Sequence, residues 1–168
     1  YVVSLIGKTL VLLIAPINTI VISYLTKRKE RLTRSQFGKA VLAGGGVSLV
    51  FFVACQIGTP LFVWLFYRNL YESVKGIVTV VNLAQILGLF SAFLFILVLT
   101  FTDERWQLWI QLTHFCILLV SSVLAARTYG MMGFAVASLG ANSLRVAAVV
   151  ILGIVKAGKD KGDRNADR

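Results

Sequence analysis

Apolar runs of twenty or more residues follow one another through this chain, broken only by short polar segments. That pattern admits one kind of fold. A helix crossing a hydrocarbon core about 30 Å thick needs about 20 such residues. In lipid every backbone N–H and C=O must be paired within the spanning structure, which a helix achieves alone. Five spanning helices can be drawn, over about residues 1–25, 40–66, 76–101, 107–126 and 130–155. The connections are short, so sequential helices are expected to be antiparallel neighbours. The expected fold is an all-α integral membrane bundle of five transmembrane helices over residues 1–157. A polar, mixed-charge tail over 158–168 is expected to be disordered. A soluble domain of this length is not 58% hydrophobic and 14% charged.

The formal net charge is +10. Its distribution speaks against nucleic acid as a partner, because the basic residues sit in short segments between apolar runs. The loop TKRKERLTRSQFGK, the turn TDERW and the tail KAGKDKGDRNADR carry twelve basic residues on one side. Arg68, Lys75 and Arg127 are the three on the other. The positive-inside rule then places the first loop and the C-terminus in the cytoplasm. The tail is read as a topology determinant that can also touch anionic membrane lipid.

The chain opens on Tyr1 without a basic n-region, and is expected to be the later part of a longer protein whose N-terminal half is a partner in the fold. Cys55 and Cys116 lie in apolar runs and read as small hydrophobes. No Cys/His spacing suits a metal, and no cofactor is implied. No acidic residue lies inside a span, so a carboxylate pair is missing, as are a nucleophilic triad and a phosphate-binding glycine loop. An enzyme is not expected.

Arg145 is the residue that points to function. It stands among Val and Ala in the last run, about ten residues from its end, which at about 1.5 Å per residue is roughly 15 Å deep. A charge there costs at least about 2.5–3.5 kcal/mol on translocon scales. Ser138, Asn142 and Arg145 fall at i, i+4 and i+7 and share a face. Gly133, Ala137 and Ala141 form an adjacent row of small residues that permits close helix contact. Either the polar stripe lines a cavity where Arg145 meets an anionic substrate, or Arg145 is structural and bonds a carbonyl or an unseen helix. On the fourth helix Gln107, Gln111, His114, Leu118 and Ser121 make a second stripe. It suits a hydrogen-bonded helix contact or a pathway with His114 as a proton carrier. Lys8, one turn beyond Ser4, either faces a cavity or snorkels outward. Asn82 and Gln85 suit interhelical hydrogen bonds. Pro16 and Pro60 are expected to kink their helices. Gly44-Gly45-Gly46 is expected to mark a close helix crossing, with a hinge as the other possibility.

Three segments resemble one family. APINTIVISYLTKRKERLTRSQFGKA is a proline-containing helix running into a basic loop. TPLFVWLFYRNLYESV resembles a proline–aromatic–tyrosine segment of polysaccharide flippases, with Phe66-Tyr67 where the family has Phe-Gly. AARTYGMMGFAVASLGANSLR resembles their glycine-rich entry to a final helix. Together, from Ser4 to Lys156, they resemble the C-terminal part of an oligosaccharide-lipid flippase of the multidrug/oligosaccharidyl-lipid/polysaccharide exporter superfamily. The resemblance implies a two-bundle flippase fold around a central cavity in the bacterial inner membrane. It also implies a lipid-linked oligosaccharide substrate and alternating access. Arg145, Lys8, Asn142, Ser138, His114 and Gln111 are then the substrate-cavity candidates. A small-molecule exporter of the same superfamily and a non-transport membrane scaffold are the alternatives.

Overall fold

The computed structural model describes residues 33–99 and 102–166, with the backbone alone at 70, 104 and 158–166. The expected first span, with Lys8 and Pro16, lies outside the described residues. Those described are helical apart from short breaks: α1 (Arg34–Phe66), α2 (Arg68–Leu99) and a run Glu104–Ala166. The run is broken at Gly130, whose φ of 60° and ψ of −141° no helix contains, into α3 (104–129) and α4 (131–166). Stretches long and apolar enough to cross a membrane cover Arg34–Phe66, Tyr71–Leu99 and, with the Gly130 break inside it, Arg105–Ala157. The chain is therefore read as a membrane protein.

The helices outrun the apolar runs that announced them. α1 starts at Arg34 rather than near Ala40, because Thr33 caps it. The Thr33 hydroxyl accepts from the Gln36 N–H at 3.4 Å, and the Gln36 side chain accepts from the Thr33 N–H at 3.1 Å. Such a reciprocal cap satisfies two donors that a helix start leaves free. The expected loop over 67–75 shrinks to Tyr67, whose φ of −137° and ψ of 48° close α1. Its N–H still reaches the Val63 carbonyl at 2.8 Å. The polar residues after it are helix-compatible, and Glu72 pairs with Lys75 one turn along the exposed face of α2. At the other end the helical backbone continues to Ala166, past Val155.

α1 and α2 form an antiparallel hairpin centred on Tyr67. Gln56 donates to Thr79 at 2.9 Å. Thr59 donates to the Asn82 Oδ1 at 3.2 Å. The Asn82 Nδ2 reaches the Cys55 carbonyl at 3.1 Å and the Gln56 Oε1 at 3.0 Å. Asn82 thus serves in an interhelical contact, as its sequence position suggested. The network sits against Pro60, which stands inside α1 and leaves the Gln56 carbonyl without its usual N–H. Further along the hairpin a Cβ at Gly44 would come within 2.7 Å of the Phe93 ring and 3.2 Å of Phe90. The glycine triplet therefore marks a close crossing, with Gly44 as the contact point; Gly46 has open space around it.

α4 lies beside both α2 and α3. It runs parallel to α2, with Asn142 near Ala84 and Gly88 and Arg145 near Phe95. It runs antiparallel to α3, with Gly133 against Ala125 and Lys156 against Trp106. A Cβ at Gly133 would overlap the Ala125 carbonyl, and Ala141 is buried, so the row of small residues does bring the backbones together. Where α1, α2 and α4 converge, Phe37, Leu94, Leu97, Val98 and Val149 form a buried apolar cluster. The Phe37 ring occupies the space a Cβ at Gly153 would need.

Elsewhere apolar side chains face outward. Leu42, Leu49, Val50, Ile57, Leu61 and Leu65 leave one side of α1 uncovered. In water so large an apolar face would drive aggregation; against lipid it is at rest. Aromatic residues mark the two ends. Trp64, with Arg68 over its ring at 5.9 Å, Tyr67 and Tyr129 lie at one. Trp106, with Lys156 over its ring at 5.7 Å, and Trp109 lie at the other. From Trp106 to Tyr129 a helix rises roughly 35 Å, which suits aromatic belts at the two interfaces.

The glycine contacts give a paired test. Gly153→Leu must displace the Phe37 ring and should cost about 1–3 kcal/mol, as overpacked cores do. Gly140→Ala meets nothing within 4 Å and should leave stability unchanged or slightly raised. Thermal unfolding of the purified full-length variants in detergent reads the difference. Equal melting temperatures would contradict the packing described.

Candidate functional site

The polar groups of α3 and α4 meet at mid-depth. Asn142 uses both ends of its amide: Nδ2 donates to the Ala84 carbonyl on α2 at 2.9 Å, and Oδ1 lies 3.2 Å from the His114 Nε2 on α3. The Ala84 carbonyl can only accept, so the amide end facing it must be the NH₂. The other end is then an oxygen, and His114 must present Nε2–H to it. The ring is held as the Nε2–H tautomer, with Nδ1 free of protein partners among the described residues.

One turn along α4 from Asn142, Arg145 is half-buried beside the Phe95 ring, with its Cζ 5.6 Å from the ring centre. That stacking is a favourable contact for a guanidinium. Its Nε is buried and has no hydrogen-bond partner. Among the described residues no carboxylate pairs with Arg145. A cation in a membrane span without an acid beside it carries a desolvation cost that the Phe95 contact offsets only in part.

Arg145 and His114 line one groove between α3 and α4, of about 410 Å³. Trp106 and Trp109 stand at its end nearer the start of α3, and Thr113 and Ala148 lie along its walls. Lys156 is eleven residues beyond Arg145, so Arg145 lies roughly 16 Å below the level of the Lys156–Trp106 contact. The groove is walled mostly by apolar surface, with Arg145, His114 and Thr113 set into it and two tryptophans at its mouth. Its residue types suit an anion such as a phosphate group better than a metal ion. Among the described residues no cluster of His, Cys, Asp or Glu could hold a metal.

The six residues singled out in the sequence divide. Arg145, His114 and Asn142 come together. Ser138 is half-buried one turn before Asn142 and does not line the groove. Gln111 is exposed on the outer side of α3, away from the groove. Lys8 lies outside the described residues. Of the second stripe, Gln107 is buried and donates to the Thr102 hydroxyl at 3.3 Å. Ser121 turns back to the Ile117 carbonyl. His114 makes the helix-to-helix hydrogen bond that the stripe suggested, and does so from the groove wall. The sequence did not mark Trp106, Trp109, Ile110, Thr113 and Ile117 as groove-lining. Their spacing of three and four residues was a signal, but an apolar strip in a membrane helix does not say whether it faces lipid or protein.

Comparison of the chain with family models, with characterised proteins and with solved structures gives no match.

A groove that opens to water should admit a water-soluble thiol reagent. In a variant of the full-length protein lacking Cys55 and Cys116, a cysteine at Thr113 or Ala148 should be modified at least about tenfold faster than one at Leu119 on the outward face, since only the thiolate in water reacts. Equal rates at the two kinds of position would mean that the groove is closed or lipid-filled.

Proposed function

We propose that this chain is the C-terminal part of a flippase that moves an undecaprenyl-pyrophosphate-linked oligosaccharide across the bacterial inner membrane by alternating access. The product would serve cell-surface polysaccharide assembly, of the O-antigen or capsule type. The observation that carries the reading is the guanidinium of Arg145, at mid-depth in an open groove with no acid beside it among the described residues. A planar guanidinium offers paired donors that match phosphate oxygens. A groove of this size takes the head group of such a substrate, and the sugars would extend into space bounded by the N-terminal half. The charge asymmetry of the connections supports a cytoplasmic C-terminus. An acidic residue within the spans of the N-terminal half would instead favour the exporter alternative. A scaffold has no use for a cation that, among the described residues, lines an open groove without a counter-ion.

The test is made in the full-length protein in cells. Arg145→Gln should reduce surface polysaccharide tenfold or more, in line with the roughly 1.5–3 kcal/mol of a hydrogen bond to a charged group, while protein abundance stays unchanged. Arg145→Lys, which keeps the charge and loses the paired donors, should retain part of the activity. A loss of abundance in both variants would mean that Arg145 is structural and would overturn the proposal.

A further inference from the structure

The charge of the groove does not match the charge of its proposed occupant. A pyrophosphate esterified at both ends carries two negative charges. Arg145 supplies one positive charge, and in a half-buried setting an unmatched charge is costly. Among the described residues, the only other ionisable side chain lining the groove is His114. Its surroundings are defined. α4 brings Arg145 and the neutral Asn142 amide. The ionisable residues of α2 whose side chains are described, Arg68, Tyr71, Glu72 and Lys75, stand near its start, far along the helix from Ala84. Those of α1 are Arg34 and Lys39, near the Phe37 cluster, and Cys55, buried against Asn82. No carboxylate among the described side chains faces the ring. Because Asn142 holds Nε2–H, a proton can be added at Nδ1 without breaking the hydrogen bond that positions the ring. His114 can therefore become a second cation within the groove while the helices stay where they are.

We infer that His114 binds a proton at Nδ1 when a dianionic pyrophosphate diester occupies the groove at Arg145, so that the site loads one proton together with its substrate. The proton comes from water reaching the groove and returns to water when the anion leaves. Substrate binding and proton binding are then linked, each strengthening the other by the same factor. In a protein whose groove faces the two sides of the membrane in turn, each substrate would then cross together with one proton. The inference rests on the reading of Arg145 as an anion site.

Methanedisulfonate is a suitable probe, because it has the shape of a pyrophosphate and stays a dianion through the relevant range, so any proton taken up belongs to the protein. Its binding to the full-length protein in lipid nanodiscs would be measured calorimetrically at about pH 5.5 and pH 8, the range in which histidine changes charge. Repeating the titration in two buffers of different ionisation enthalpy counts the protons. The expected result is affinity roughly five- to tenfold higher at the acid end, within the usual range of coupling between sites, with net proton uptake on binding. His114→Gln should keep binding but lose both the pH dependence and the uptake. Binding that ignores pH, or a pH dependence that survives in His114→Gln, overturns the role of His114 and leaves Arg145 as an anion site. No binding at either pH, or binding unchanged in Arg145→Gln, overturns the anion site itself. The wild-type titration in two buffers decides the matter even where His114→Gln does not accumulate.

Discussion

A single amide, that of Asn142, ties three helices together. Its NH₂ holds a carbonyl of α2, its oxygen holds the imidazole of α3, and its own backbone belongs to α4. In lipid there is no hydrophobic drive to bring helices together, because the tails are as apolar as the side chains. Specific polar contacts and close backbone approach do that work. Asn142 supplies the first, and Gly133 with Ala141 supplies the second. The groove follows from this arrangement, since the ring that Asn142 positions forms one wall and Arg145, one turn away, forms the other.

The α1–α2 hairpin repeats the arrangement with different residues. Asn82 reaches a backbone carbonyl and two side chains across the interface, and Gly44 lets the Phe90 and Phe93 rings lie against α1. Both asparagines are placed where a partner helix has an accepting carbonyl. In each hairpin a polar contact sets the register, and a small residue sets the distance.

The class of fold was legible in the runs of apolar residues, and the polar positions inside those runs were legible as exceptions. Arg145, His114 and Asn142 stood out because polar groups in lipid are costly, and the structure brings the three together. What the sequence did not disclose was facing. Gln111 is four residues from Gln107 and three from His114, close enough in angle to seem part of their face, yet it points outward. In a soluble helix the apolar stripe would have identified the inner side. Here lipid and protein interior accept the same residues, so α1 can bury Cys55, Thr59 and Val63 and expose Leu49, Val53 and Ile57 without any contrast in composition. The helix ends depart from the ends of the apolar runs for a related reason. Polarity marks where the hydrocarbon stops, whereas a helix stops where its backbone is capped, at Thr33 and Tyr67.

The Gly130 break leaves α3 and α4 with almost no connecting chain. During synthesis, α4 emerges directly behind α3 and can fold back on it as soon as its first turns form. A segment carrying Arg145 partitions poorly into bilayer on its own. As the second arm of a tight hairpin it enters with a polar neighbour, His114, already in place. The same short turn that shapes the groove also gives the ribosome-bound chain a way to carry a buried charge into the membrane.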